Sequence, residues 1–102
     1  MKVNIKATNM ELLPAVVAQV QEKIGSLDRY FNNIQQIDVE VGLTTKGQQK
    51  GNIYFCEVNV AVPKKLIRFR REMDDLTKAI NEVKKGIQNE LKEYKEIMQE
   101  VA

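Results

Sequence analysis

Histidine is absent from this 102-residue chain, and cysteine occurs once, at Cys56. Nucleophile–base pairs and transition-metal sites of the usual kinds cannot be assembled from that set. The five glycines stand singly, at positions 25, 42, 47, 51 and 86, so there is no glycine-rich phosphate loop. Carboxylates remain, but Asp38, Glu40 and Glu57 read as solvent-side strand positions, where such groups usually serve solubility. No enzyme is expected: no catalytic residue, no metal, no cofactor and no small-molecule substrate. A lone cysteine makes no internal disulfide, and Cys56 lies in an apolar strand-like run that suits a small buried side chain. No apolar run approaches the roughly 20 residues of a membrane-spanning helix, and the start of the chain lacks a signal-peptide core. No membrane partner is expected, and a cytoplasmic location is the default.

What is present fits a single soluble domain over residues 1–102. Hydrophobic residues make up 43% and charged residues 29%, which separates the chain from a disordered one. The net charge of +2 hides an uneven distribution. Residues 1–73 carry eleven Lys or Arg against seven Asp or Glu; residues 74–102 carry five against seven. The densest basic run holds Lys64, Lys65, Arg68, Arg70 and Arg71, with no acid among them.

From Asp74 to Ala102 the pattern is one long helix. At about 100° per residue, Leu76, Ala79, Ile80, Val83, Ile87, Leu91, Tyr94 and Met98 form an apolar stripe. Lys78, Lys84, Lys85, Lys92 and Lys95 fall on one flank of it. Asp75, Glu82, Glu90, Glu93 and Glu100 fall on the other, with Glu96 near the boundary. A solvated helix commonly intersperses its signs to gain i,i+4 pairs. Lysines are common on surface helices, but a row of them presents cations to a polyanion.

Upstream, Val3, Ile5 and Ala7 alternate with polar residues and predict a half-buried strand. Leu13, Val16, Val17, Val20, Ile24, Leu27 and Phe31 then recur at helical spacing. Pro14 suits the first turn of that helix, Gly25 invites a bend or break, and Asn32-Asn33 is a plausible stop. Ile37, Val39, Val41 and Leu43 predict a second strand. Thr44 to Asn52 reads as the tip of a long hairpin. Tyr54, Cys56, Val58, Val60 and Val62 make the third strand, Pro63-Lys64-Lys65 a turn, and Leu66 to Arg71 the fourth. Asp74 or Asp75 is a suitable N-cap for the last helix. The order β-α-β-β-β-α predicts an α+β two-layer sandwich with both helices on one face of a four-stranded sheet. The open face would carry Lys2, Asn4, Lys6, Glu40, Glu57, Arg68 and Arg70.

The opening "VNIKATNMELLPAVVAQVQEKIGSLDRYF" resembles the start of the bacterial ribosome hibernation-promoting factors, also called ribosome-associated inhibitors or ribosomal subunit interface proteins. The shared features, in order, are Ala7-Thr8-Asn9, the helix start at Glu11, Leu12, Pro14 and Ala15, then Glu22-Lys23, Gly25, Leu27 and Tyr30-Phe31. "VAVPKKLIRFRREMDDLTKAINEVKKGIQNELKEYKE" continues the likeness through Pro63, Ile67-Arg68, Asp75, Ala79-Ile80, Leu91 and Tyr94-Lys95. The resemblance implies a fold like that of double-stranded-RNA-binding domains. It also implies binding to the small ribosomal subunit and its rRNA, where occupying the mRNA and tRNA channel idles the ribosome in stress or stationary phase. The chain looks like the family's short form, for which a monomer off the ribosome is the simplest expectation. Basic positions carried across are Lys23 and Arg29 in the first helix and Lys92 and Lys95 in the last, with Lys84 and Lys85 close by. Ser26, Gly86, Asn89 and Glu93 stand where relatives usually have Lys or Arg, whereas Arg70 and Arg71 occupy a stretch that is usually acidic.

Such a role asks for lysines and arginines held at phosphate spacing, with counterion release supplying most of the affinity. Folded RNA is read mainly by shape, 2′-hydroxyls and phosphates. The run Lys64, Lys65, Arg68, Arg70 and Arg71 reads as a further rRNA contact or as a solvated edge strand. Tyr30, Tyr54 and Phe55 are candidates for stacking on bases, although aromatics at such places often just cover a neighbour. Phe31 and Tyr94 belong to apolar stripes and are assigned to the core. Two rival readings stay open: a protein–protein module using the exposed sheet face, and a general structured-RNA-binding domain without ribosome preference.

Overall fold

The computed structural model describes residues 2–29, 31, 33–44 and 51–101, with side chains as far as Met98. The elements run β1 (Lys2–Thr8), α1 (Pro14–Lys23), a 3-10 helix (Gly25–Arg29), β2 (Gln36–Leu43), β3 (Tyr54–Val62), β4 (Lys65–Met73) and α2 (Leu76–Val101). One four-stranded sheet has the order β1-β2-β3-β4. β1 pairs parallel with β2, because α1 carries the chain back across the sheet; β3 and β4 follow as an antiparallel meander. This is the α+β sandwich that alternation and helical spacing predict. Most of the expected hairpin tip between Thr44 and Asn52, residues 45–50, lies outside the described residues, as do Tyr30 and Asn32. The β2–β3 ladder reaches beyond the strands, since the Thr44 N–H donates to the Ile53 carbonyl at 2.9 Å.

Strand alternation splits the sheet into two chemistries. Ile37, Val39, Val41, Cys56, Val58, Val60, Val62 and Ile67 are all buried against the helices. From α1 and the 3-10 helix come Val20, Ile24 and Leu27; from α2 come Ala79, Ile80, Val83, Ile87, Leu91 and Tyr94. Among the described residues, no helix lies on the opposite face. Its cross-strand rows are Asn4–Asp38–Asn59–Arg68 and Lys6–Glu40–Glu57–Arg70.

α1 begins with Pro14 at its first position and the Leu13 carbonyl accepting from the Val16 and Val17 N–H groups at 3.0 and 3.1 Å. The helical spacing that placed Leu13 in the core is corrected here. Leu13 is the extended N-cap residue (φ −78°, ψ 149°) and is exposed, so Leu12 packs inward instead. The helix breaks before Gly25. The Ser26 hydroxyl donates to the Lys23 carbonyl at 3.2 Å, and the chain tightens into 3-10 geometry that still buries Leu27.

α2 is capped by Asp75, whose Oδ1 accepts from the Lys78 N–H at 3.1 Å. Asp75 therefore precedes the helix and does not belong to its acidic flank. Met98 is a second correction: it lies on the apolar stripe but is exposed, as is Ile97. Twenty-six residues of helix span about 39 Å at 1.5 Å each. The nine residues of β4 span only about 30 Å, so the last turns run past the sheet.

Gly86 sits where α2 crosses β4. A Cβ there would run into the Phe69 ring, so the missing side chain is what lets the ring lie under the helix.

Candidate nucleic-acid interface

The last turn of α1, the 3-10 helix and the middle of α2 lie side by side, and their cations meet along the seam. Lys23, Arg29 and Lys84 line a groove of about 690 Å³ whose remaining walls are Gln21, Glu22, Gly25, Ser26 and Asp28. Next to it, Lys92 and Lys95 line a second groove of about 340 Å³ with Leu27, Gln88, Asn89 and Leu91, and no carboxylate takes part. Lys85 is exposed on the same flank of α2 and lines neither groove. Cations drawn from two segments about 60 residues apart thus form one surface, by virtue of the βα crossover.

Among the described residues, none of Lys23, Arg29, Lys84, Lys85, Lys92 and Lys95 makes a salt bridge. The three pairs found are Lys6–Glu40 at 3.8 Å, Arg70–Glu72 at 3.1 Å and Lys78–Asp74 at 3.6 Å. Cations without an ion-pair partner attract a polyanion and can neutralise phosphates directly, releasing the counterions condensed on it.

The basic run from Lys64 to Arg71 does not form one patch. Strand alternation sends Arg68 and Arg70 to the open face and Lys65 and Arg71 to the helix side, while Lys64 sits in the turn. Arg68 donates from Nε to Asn59 Oδ1 at 2.9 Å. Arg70 is tied to Glu72 and stacks over the Phe55 ring, with its guanidinium carbon 4.2 Å from the centroid. Arg71 stacks over Phe69 at the same distance and donates to the Arg70 carbonyl. On the helix wheel Gly86 falls among Glu82, Glu90 and Glu93, and Gly86 faces Phe69. The acidic flank of α2 therefore borders basic β4, and the lysine flank faces α1.

The aromatic candidates are accounted for differently. Phe55 is buried beneath Arg70, so it covers the sheet and offers no free ring. Tyr54 is half-buried opposite Leu43 and Met73. Phe31 and Tyr94 pack edge to face in the core, with centroids 5.4 Å apart. Sequence reasoning missed the Gly86–Phe69 fit; its available signal was an isolated glycine inside a strong helical pattern.

The open sheet face mixes carboxylates with cations, several of them paired on the face itself. Its groove of about 400 Å³ is lined by Asn4, Lys6, Asp38, Glu40, Glu57 and Asn59 among others. Glu40 also accepts from the Thr8 hydroxyl. Hydrogen bonds from Asn4 and then Gln36, helped by the Lys2 charge, hold the Asp38 carboxyl below its ordinary range. Carboxylates in the middle of a face repel phosphate. Burial, reinforced by the Glu57 charge, pushes the Cys56 thiol up to about 12, which leaves it a protonated core side chain.

Comparison with known proteins agrees with this architecture. The family described as sigma 54 modulation protein / S30EA ribosomal protein matches residues 3–99. A ribosome hibernation promotion factor of Lactococcus lactis is 30% identical over 96 residues, covering 92% of this chain and 49% of its own. One from Bacillus subtilis is 27% identical over 95 residues, covering 93% and 49%. The chain thus spans about half the length of these relatives. A ribosomal subunit interface protein from Coxiella burnetii superposes with a TM-score of 0.80 at 18% identity, covering 93% of this chain and 98% of that one. The N-terminal domain of Protein Y from Thermus thermophilus superposes with a TM-score of 0.69 at 27% identity, covering 91% and 94%. No helix among the described residues is long and apolar enough to cross a membrane.

Proposed function

The chain belongs to the sigma 54 modulation protein / S30EA ribosomal protein family, and from that premise we propose that it is a ribosome hibernation factor. It binds the small ribosomal subunit through rRNA, occupies the mRNA and tRNA channel, and idles ribosomes in the cytoplasm under stress or in stationary phase. The observation that carries this reading is the cluster of cations around the seam between α1 and α2, none of them ion-paired among the described residues. The mechanism is occlusion. A rigid two-layer body presents Lys23, Arg29, Lys84, Lys85, Lys92 and Lys95 to phosphates, and its bulk then excludes the usual occupants of the channel. Nothing in that requires chemistry on a substrate. Affinity comes from released counterions, and fit comes from the shape of folded RNA.

Co-sedimentation with purified bacterial small subunits across a salt series tests the proposal. The wild type is expected to bind saturably and salt-sensitively, and a variant reversing Lys84, Lys85, Lys92 and Lys95 to Glu is expected not to bind. Binding that survives the reversal moves the interface to β4 and its turn. Equal binding to free duplex RNA favours a general RNA-binding domain, and no binding at low salt sinks the ribosome reading.

A further inference from the structure

Lys64 holds a backbone conformation that its own side chain disfavours. Its φ is 67°, and the other described non-glycine residue with positive φ is Asn9, at 60°. Asparagine tolerates that region because it can hydrogen-bond locally, and Asn9 does bond, through Nδ2 to the Leu43 carbonyl at 3.2 Å. Lysine has no such means. Pro63 and Lys64 form the two-residue link between β3 and β4, with Val62 opposite Lys65. Proline followed by a positive-φ residue is the setting in which glycine or asparagine is favoured second. The side chain of Lys64 is exposed, and it makes no ion pair among the described residues. Folding therefore gains nothing evident from a lysine here, and glycine would relieve the backbone.

A second observation concerns where this turn is held. The Tyr94 hydroxyl donates to the Pro63 carbonyl at 2.6 Å. The residue next to Lys64 is thus bonded to the turn of α2 that carries Lys92 and Lys95. Phe31 packs edge-on against the Tyr94 ring and fixes its direction.

We propose that Lys64 is an RNA-phosphate contact, presented by Tyr94, that carries the cationic flank of α2 around the end of the sheet. The inference rests on the ribosome-binding reading above. Tyr94 is a positioning residue in it: buried, and acting only through the turn it anchors. Lys65, one position on, points to the helix side and is not part of the contact. The strain at Lys64 is then the cost of placing a cation where the fold itself prefers none.

The test pairs thermal unfolding with equilibrium binding to purified small subunits across a salt series. The proteins are the full chain and its Lys64→Gly, Lys64→Arg, Tyr94→Phe and Lys64→Gly/Tyr94→Phe variants. Lys64→Gly is expected to melt a few degrees higher yet bind about fivefold more weakly near 0.1 M salt. Its plot of log K against log salt should be shallower by roughly 0.7–0.9, the share of one phosphate. Lys64→Arg should keep the wild-type slope. Tyr94→Phe should flatten the slope in the wild-type background and leave it unchanged in the Lys64→Gly background. Lys64→Gly with wild-type slope and affinity overturns the contact, and a lower melting temperature overturns the strain argument with it. Flattening by Tyr94→Phe in both backgrounds overturns the positioning role. Wild-type protein that fails to bind subunits overturns the ribosome reading and this inference together, whereas wild-type binding with an indifferent Lys64→Gly overturns this inference alone.

Discussion

Two residues that look minor in the sequence have structural roles that can be measured. Gly86 makes room for Phe69, and Phe69 in turn supports the Arg71 guanidinium. Gly86→Ala should destabilise the protein by about 1–3 kcal/mol, because overpacking forces the ring or the helix to move. Urea unfolding is the measurement. The ordinary helix-propensity gain of about 1 kcal/mol for Gly to Ala has the opposite sign, so stabilisation would show that the ring gives way easily. Cys56 is the other. Its thiol is raised from an ordinary 9.0 to about 12, so the native state keeps a proton that the unfolded chain gives up. The stability linked to it is fully present below pH 9 and is lost as pH rises toward 12. Between pH 8 and 10.5 the loss should be about 2 kcal/mol. A Cys56→Ala variant should lose that much less over the same interval. Asp38 works in the other direction. Its depressed carboxyl adds stability above the usual carboxylate range, and acidification removes it.

At the scale of elements, α1 and α2 start by different devices. α1 relies on Pro14 and has no side-chain cap. α2 relies on Asp75, whose carboxylate also meets the positive end of the helix dipole. Asp75→Ala should cost about 0.5–2 kcal/mol and lower the mean-residue ellipticity at 222 nm near the unfolding transition. An unchanged urea midpoint would mean that packing of Leu76 and Ala79 alone holds the first turn. The break at Gly25 matters for function as well as shape. The 3-10 helix turns Arg29 toward the groove that it shares with Lys23 and Lys84. A continuous helix would have carried residues 26–29 along the α1 axis.

For the whole molecule, the deciding feature is how charge is partitioned in space. The near-neutral total of +2 is the sum of three surfaces. One is the open sheet with its mixed charges, one is β4 beside the acidic flank of α2, and one is the lysine flank along the α1–α2 seam. The third gathers Lys23, Arg29, Lys84, Lys85, Lys92 and Lys95 from separate elements onto one side, with no ion pair to any of them among the described residues. Neutralising Lys84, Lys85, Lys92 and Lys95 to Gln, which weakens binding without reversing charge, should therefore remove about 2.8–3.6 from the slope of log K against log salt, at 0.7–0.9 per phosphate. Replacing Arg68 and Arg70 with Ala should leave that slope within error, since both are engaged with Asn59, Glu72 and Phe55. An equal slope change from both sets would return the interface to the sheet.

Periodicity determined the element order, the open and covered faces of the sheet, and the sorting of α2 into flanks. These depend on neighbours two or three to four residues apart, which any single sequence displays. An aspartate cap at Asp74 or Asp75, a break at Gly25, and the burial of Cys56, Phe31 and Tyr94 were legible for the same local reason. Tertiary structure alone decided the rest. Lys23 and Arg29 meet Lys84 because the crossover lays α1 beside α2. The contiguous basic run of β4 separates because a strand turns alternate residues to opposite faces and gives Arg68 and Arg70 partners from other positions. Leu13 and Met98 keep an apolar spacing yet face solvent, since spacing records only which side of a helix a residue occupies, and burial also requires something packed against that side.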